Sequence, residues 1–134
     1  MFELHPTLAN DTSLVIELPL SQVLLMNNVR YPWIILVPQR ENILEIHHLE
    51  PDDQTTLFQE LIQASNIMES IFSPDKINVG ALGNMVPQLH VHVIARFKDD
   101  VAWPDPVWGH GDTIPYGPRK RERLQTQLAD AFKT

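Results

Sequence analysis

Short apolar runs alternate with polar connections along the first forty residues, and this pattern predicts strands. Runs rich in Val, Ile and Leu at residues 13–18 and 21–26 predict two strands joined by a tight Pro19-Leu20 turn. The most continuous apolar run, residues 33–37, ends at Pro38 and is typical of a strand covered on both faces. We therefore expect this third strand in the middle of a sheet.

A long amphipathic helix is predicted next. Pro51 suits the first helical turn, and Asp52 and Asp53 lie beside the positive end of the helix dipole. Apolar residues then recur on one helical stripe as far as Ser73, where the following Pro74 ends the pattern. We expect the stripe to pack against the sheet.

The second half of the chain predicts two more strands and a second helix. Residues 76–82 and 89–97 predict strands separated by a loop, and residues 119–133 predict a short amphipathic helix. Residues 99–118 are rich in Pro, Gly and Trp without a regular period, and disordered linkers seldom carry two tryptophans. We expect an ordered flap there, within a single α+β domain over residues 1–134.

Composition narrows the classes of function. The chain has no cysteine, which excludes disulfides, a thiol nucleophile and thiolate zinc ligands, and makes the cytoplasm the default compartment. Residues 1–14 lack the pattern of a signal peptide, and no apolar run approaches the roughly 18 residues of a membrane span. A net charge of −7 disfavours nucleic-acid binding but allows a small anion held by backbone N–H groups and histidines.

The strongest chemical signal is a row of polar residues in the last predicted strand. Polar and apolar residues alternate there, which places Gln88, His90 and His92 on one face, about 7 Å apart. Two imidazoles and an amide in a row suit binding and attack at one phosphate. The same spacing occurs in zinc sites, where a third ligand such as His110, His47 or a carboxylate is needed.

Residues 78–96 resemble the signature of the histidine triad (HIT) superfamily, in which an asparagine and a glycine-rich loop precede three histidines alternating with apolar residues. Residues 37–40 and 47–52 are similar to its strand end and helix entry. The resemblance covers roughly residues 14–97 and is greatest to the branch of diadenosine-polyphosphate hydrolases and the fragile histidine triad protein. The tail at 103–116 resembles that of a bacterial subgroup. An antiparallel five-stranded sheet with one long helix is implied.

The resemblance assigns roles to the polar row. His90 occupies the middle position, the nucleophile of the family, and His92 the third, which hydrogen-bonds the phosphate or leaving group. Gln88 stands where the first histidine usually is. Glutamine offers the same backbone carbonyl for orienting the nucleophile, and its amide can bind a phosphate oxygen, but it carries no positive charge.

The resemblance also implies a phosphate-binding loop before this row. Backbone N–H groups around Gly83, Asn84 and Met85, with the Asn84 amide, would hold the phosphate oxygens. Met85 stands where relatives often have a hydroxyl residue. Asn78 would help position the loop or the phosphate, and Asn28 has either a structural role in its loop or a role with substrate.

Taken together, these features predict a nucleotide hydrolase or nucleotidyl transferase that acts at a nucleoside α-phosphate through a covalent nucleotidyl-histidine on His90. Dinucleoside polyphosphates and nucleoside phosphoramidates are the substrate types implied, without a metal or other cofactor. One alternative is a nucleotide-binding module that lost turnover through Gln88. Another is a zinc-binding protein using His90 and His92. The resemblance further implies a homodimer, and we expect neither nucleic acid nor membrane as a partner.

Overall fold

In the computed structural model, which describes residues 1–134, an antiparallel sheet of five strands forms the centre of the molecule. The strands are β1 Thr12–Glu17, β2 Ser21–Met26, β3 Trp33–Pro38, β4 Lys76–Gly80 and β5 Val91–Arg96. Their spatial order is β1-β2-β3-β5-β4, and every neighbouring pair is antiparallel. The middle strand is the continuous apolar run, all of whose residues are buried. The α+β class and the five-stranded sheet are therefore confirmed.

Three helices accompany the sheet: α1 Pro6–Asp11, α2 Pro51–Phe72 and α3 Pro118–Phe132. The long helix α2 has the predicted bounds, with proline in its first turn and Ser73 in the left-handed conformation at its end (φ 48°). No helix combines the length and apolar character that a bilayer crossing requires.

The two faces of the sheet are covered by different parts of the chain. One face packs against α2 and α3, with β5 contributing Val93 and Ala95 to that core. The other face, to which β5 contributes Ile94, packs against the N-terminal segment and the flap, which inserts Ala102 and Val107. Because side chains alternate along a strand, His92 lies on the flap face.

Two strand ends differ from the prediction, and both lie beside the polar row. β4 ends at Gly80, and β5 begins at Val91, each two residues short of the expected limit. The backbone N–H of Leu89 donates to the carbonyl of Ile43 at 3.0 Å, so it is not available to the sheet ladder. His90 consequently lies one residue before the strand rather than within it.

The short helix α1 has no counterpart in the sequence analysis. It begins with Pro6 in its first turn, and the Nδ1 atom of His5 accepts the backbone N–H of Thr7 at 3.1 Å. Six residues are too few to produce a recognisable apolar period. The bounds of the other helices and of β1 to β3 agree with the prediction to within one residue.

Candidate active site

His90 and His92 lie side by side under the flap. The centroids of the two rings are 5.0 Å apart, with their planes inclined at 68°. His90 is 7% exposed and His92 4% exposed. The predicted histidine pair is therefore brought together in a nearly enclosed position.

A backbone carbonyl orients the His90 ring. The Nδ1 atom of His90 lies 2.7 Å from the carbonyl oxygen of Gln88. A carbonyl only accepts hydrogen bonds, so Nδ1 of the neutral ring carries the proton and Nε2 keeps its lone pair. This contact is the one expected from the resemblance, and it leaves Nε2 in the form that a nucleophile requires.

Two tryptophans enclose His92. The indole Nε1–H of Trp33 donates to Nδ1 of His92 at 2.9 Å, and the two ring centroids are 5.6 Å apart. Trp108 of the flap packs edge-on against the same imidazole at 5.2 Å. Burial, together with the smaller effect of the neighbouring His90, lowers the pKa of His92 from 6.5 to about 3. His92 is therefore neutral at physiological pH.

The side-chain amide of Gln88, for which a phosphate contact is expected, hydrogen-bonds to the N-terminal segment. Its Oε1 accepts the backbone N–H of His5 at 2.8 Å, and its Nε2 donates to the backbone carbonyl of Glu3 at 2.8 Å. Both polar atoms are thus occupied by the N-terminal segment, residues 1–5. A cavity of about 340 Å³ separates this segment from the loop after β3 and borders on Gln88 and Arg40.

The glycine-rich loop has the features of an anion-binding turn. Gly83 adopts a left-handed conformation with φ of 70°. The backbone N–H groups of Gly83, Asn84 and Met85 donate to no other protein group, and the Asn84 amide has no protein partner. Met85 is 92% exposed, whereas Val86 is buried and anchors the loop to the flap face. These N–H groups are free to meet a phosphate.

Asn78, for which a role in positioning the loop or the phosphate is expected, is half-buried and joins a polar cluster at the base of the flap. Its Oδ1 accepts from Nη1 of Arg96 at 2.8 Å. Arg96, 2% exposed, also donates to both carboxylate oxygens of Asp100 and to the carbonyl of Asp105. Asp100 and Asp105 belong to the flap, and Arg96 joins them to the sheet. Asn78 supports this connection because it accepts a hydrogen bond from Arg96.

The other polar candidates lie apart from the histidine pair. Asn28 is buried, and its Oδ1 accepts the backbone N–H of Arg30 at 3.1 Å, a contact that supports the structural role expected for it as one of two alternatives. His47 and His48 form part of an exposed helical turn. His110 lies in the flap, with its Nδ1 buried and unpartnered. No group of three His, Asp or Glu side chains is placed to hold a metal ion.

Trp33 is a site residue that the sequence pattern does not indicate. It begins the continuous apolar run, which predicts only a core position in β3. Only the pairing of β3 with β5, in which Ile35 lies opposite His92, brings the indole within reach of the imidazole. That register is not visible in the sequence.

A family model described as the HIT domain matches residues 7–99, and the chain belongs to this family. A histidine triad protein from Marinobacter aquaeolei is 44% identical, with a TM-score of 0.97 over 99% of this chain and 97% of its own. One from Sinorhizobium meliloti is 42% identical, with a TM-score of 0.95 over 97% and 96% of the two chains.

A curated relative with a named activity matches more distantly. The bis(5'-nucleosyl)-tetraphosphatase (asymmetrical) of Schizosaccharomyces pombe is 31% identical over 80 residues, which are 56% of this chain and 43% of that protein. The chain thus matches less than half of the length of this relative.

Proposed function

We propose that the protein is a nucleotide hydrolase or nucleotidyl transferase in which His90 attacks the α-phosphorus of a nucleotide. The observation that carries the proposal is the 2.7 Å contact between Nδ1 of His90 and the carbonyl of Gln88. It directs a lone pair on Nε2 away from the backbone, beside a second neutral imidazole. Similarity to a dinucleoside tetraphosphatase supports a phosphorylated nucleotide as substrate.

The reaction proceeds in two displacements. Nε2 of His90 forms a bond to phosphorus while the bond from phosphorus to the leaving group breaks. Water or another acceptor then attacks the nucleotidyl-histidine, and the bond to Nε2 breaks. The N–H groups of Gly83, Asn84 and Met85 bind the non-bridging oxygens, and His92 hydrogen-bonds the phosphate or leaving group.

We further propose that two copies associate through β4. This strand lies at one edge of the sheet, and Val79 on it is 52% exposed. An uncovered edge strand can pair with a second copy across a twofold axis. Sedimentation equilibrium should show a dimer, and a proline in place of Val79 should convert it to monomer.

His90→Ala tests the proposed function, with His47→Ala as a control because His47 is exposed and outside the site. We expect the His90 variant to lose at least a thousandfold in kcat, about 4 kcal/mol in barrier, and to keep nucleotide binding. Intact-mass spectrometry of quenched reactions should detect a nucleotidyl adduct on the unmodified protein and the control only.

A His90 variant that kept more than about a tenth of the activity, a change of only about 1.4 kcal/mol, would exclude nucleophilic catalysis by His90. Tight nucleotide binding with neither turnover nor adduct in the unmodified protein would instead establish the binding-module alternative.

A further inference from the structure

His90 and His92 are held in opposite tautomers by their partners. The carbonyl of Gln88 accepts at Nδ1 of His90, whereas the indole of Trp33 donates to Nδ1 of His92. An indole N–H is only a donor, so Nδ1 of His92 must present a lone pair. The proton of its neutral ring therefore lies on Nε2. His90 offers a lone pair at Nε2, and His92 offers an N–H there.

The surroundings of His92 also resist a second proton. If Nδ1 of His92 were protonated, its N–H would face the indole N–H of Trp33 across the 2.9 Å contact. Two donors would then repel each other and the hydrogen bond would be lost. The charged ring would then be buried between Trp33 and Trp108, 5.0 Å from the His90 ring. No carboxylate forms an ion pair with either histidine. His92 therefore lacks the contacts that stabilise an imidazolium.

This arrangement limits what His92 can do for a leaving group. A neutral imidazole that gives up its Nε2 proton becomes an imidazolate, which is too basic to form at neutral pH. His92 can thus stabilise developing negative charge by a hydrogen bond but cannot act as a general acid. A phosphate departs as a stable anion without a proton, whereas an amine must gain one to leave.

We propose, resting on the proposed function, that Trp33 makes this site selective for nucleoside phosphoanhydrides over nucleoside phosphoramidates. In the first step the bond between Nε2 of His90 and phosphorus forms, the anhydride P–O bond breaks, and its electron pair stays on the departing phosphate. His92 keeps its proton. In the second step water displaces His90, and the excess proton passes to solvent. Trp33 is a positioning residue that determines specificity through His92.

Imidazole ¹⁵N NMR on the 134-residue protein tests the tautomer of His92 without any substrate. The His92 signals are assigned by their loss in His92→Gln. We expect a neutral ring, with the proton on Nε2, from pH 5 to 8. A ring protonated at both nitrogens at pH 6, or a proton on Nδ1, would overturn the inference.

Paired substrates with the same nucleoside test the selectivity. One has a phosphate leaving group, and the other an alkylamine on the same α-phosphorus. We expect kcat/KM to favour the anhydride at least a hundredfold. Trp33→Phe, which keeps an aromatic ring but removes the donor, should reduce this ratio at least tenfold because Nδ1 is then free to accept a proton. The matched control Trp103→Phe replaces a flap tryptophan that faces the Arg96 guanidinium rather than His92, and should leave the ratio unchanged.

The two arms separate the possible failures. Turnover that favours the phosphoramidate, or a ratio unchanged in Trp33→Phe, overturns this inference while leaving nucleophilic catalysis by His90 intact. Absence of turnover with both substrates overturns the proposed function and the selectivity together, and the NMR measurement still decides the tautomer. If Trp33→Phe does not fold, the unmodified protein supplies both the NMR result and the substrate ratio.

Discussion

Gln88 and His92 lie at equal distances in sequence from His90, yet they meet it in different ways. Gln88 precedes β5, and its amide is bound by the backbone of Glu3 and His5, so its main-chain carbonyl is the part that reaches His90. His92 lies within β5, and its side chain is the part that reaches the His90 ring. Position 88 therefore contacts His90 through the backbone, and position 92 contacts it through the side chain.

This difference bears on the glutamine at position 88, where the first histidine of the family signature usually stands. Every residue type supplies a backbone carbonyl, so orientation of His90 does not depend on the side chain at position 88. The contribution of His92, in contrast, depends on its side chain. The Trp33 hydrogen bond to Nδ1 leaves the ring proton on Nε2, and the backbone cannot supply an N–H at that place. Substitutions on the two sides of His90 should accordingly have unequal effects.

The largest expected difference is between His92→Ala and Gln88→Ala. Loss of the His92 donor should lower kcat/KM about a hundredfold to a thousandfold, as is typical for one donor to a transition-state oxygen. Gln88→Ala keeps the carbonyl and should lower it less than about tenfold, below 1.4 kcal/mol. Steady-state kinetics on a dinucleoside polyphosphate measures both, with thermal unfolding as a check of folding. Equal losses would contradict the distinction between backbone and side-chain roles.

The second expected effect concerns stability against pH. The pKa of His92 is about 3 in the folded protein against 6.5 ordinarily, so the unfolded chain binds the additional proton between these values. The free energy of unfolding should therefore fall as pH drops below 6.5, by up to about 1.4 kcal/mol per pH unit from this group alone. Below pH 3 this contribution no longer changes.

Urea titrations between pH 7 and pH 5 measure this slope. His92→Gln should remove it, and His47→Gln, in which an exposed histidine is replaced, should retain it. Carboxylates contribute equally to the slope in both variants. The difference between the two slopes therefore reports the one proton that His92 binds on unfolding. A slope that is the same in His92→Gln as in the unmodified protein would show that His92 does not remain neutral when buried.

Much of the fold follows from local patterns. The apolar run of β3 and the Pro51 start of α2 indicate their elements directly, and the histidine spacing predicts that His90 and His92 lie side by side. What the sequence does not reveal are contacts between distant segments. The Trp33 donor is 59 residues from His92, and the amide of Gln88 reaches a backbone group 83 residues away.

The same limit explains the shifted strand ends. Period two in the sequence continues through residue 88, but a strand also needs a partner with matching hydrogen bonds. Leu89 donates to Ile43, in the loop after β3, and the strand therefore begins later than its pattern. Alternation of polar and apolar residues therefore predicts which side chains lie on one face of the sheet only within the part of the strand that is hydrogen-bonded to its neighbours.

The smallest expected effect is that of Gln88→His, which introduces the usual residue of the family at the first position. The backbone carbonyl that orients His90 is retained, so we expect kcat/KM to stay within about threefold of the unmodified protein or to rise.

The same substitution should loosen the N-terminal segment, because an imidazole at position 88 cannot make both hydrogen bonds that the glutamine amide makes to Glu3 and His5. Each lost hydrogen bond is worth about 1 kcal/mol, so the N-terminal segment should open more readily. Hydrogen exchange at the His5 amide should quicken accordingly, while exchange in β5 stays constant. Gln88→Glu serves as the matched control, because its carboxylate keeps the acceptor for His5 but not the donor for Glu3, and it should give an intermediate exchange rate. A fall in kcat/KM of about a hundredfold or more in Gln88→His, roughly 2.7 kcal/mol, would show that the N-terminal segment held by Gln88 is itself part of the catalytic site.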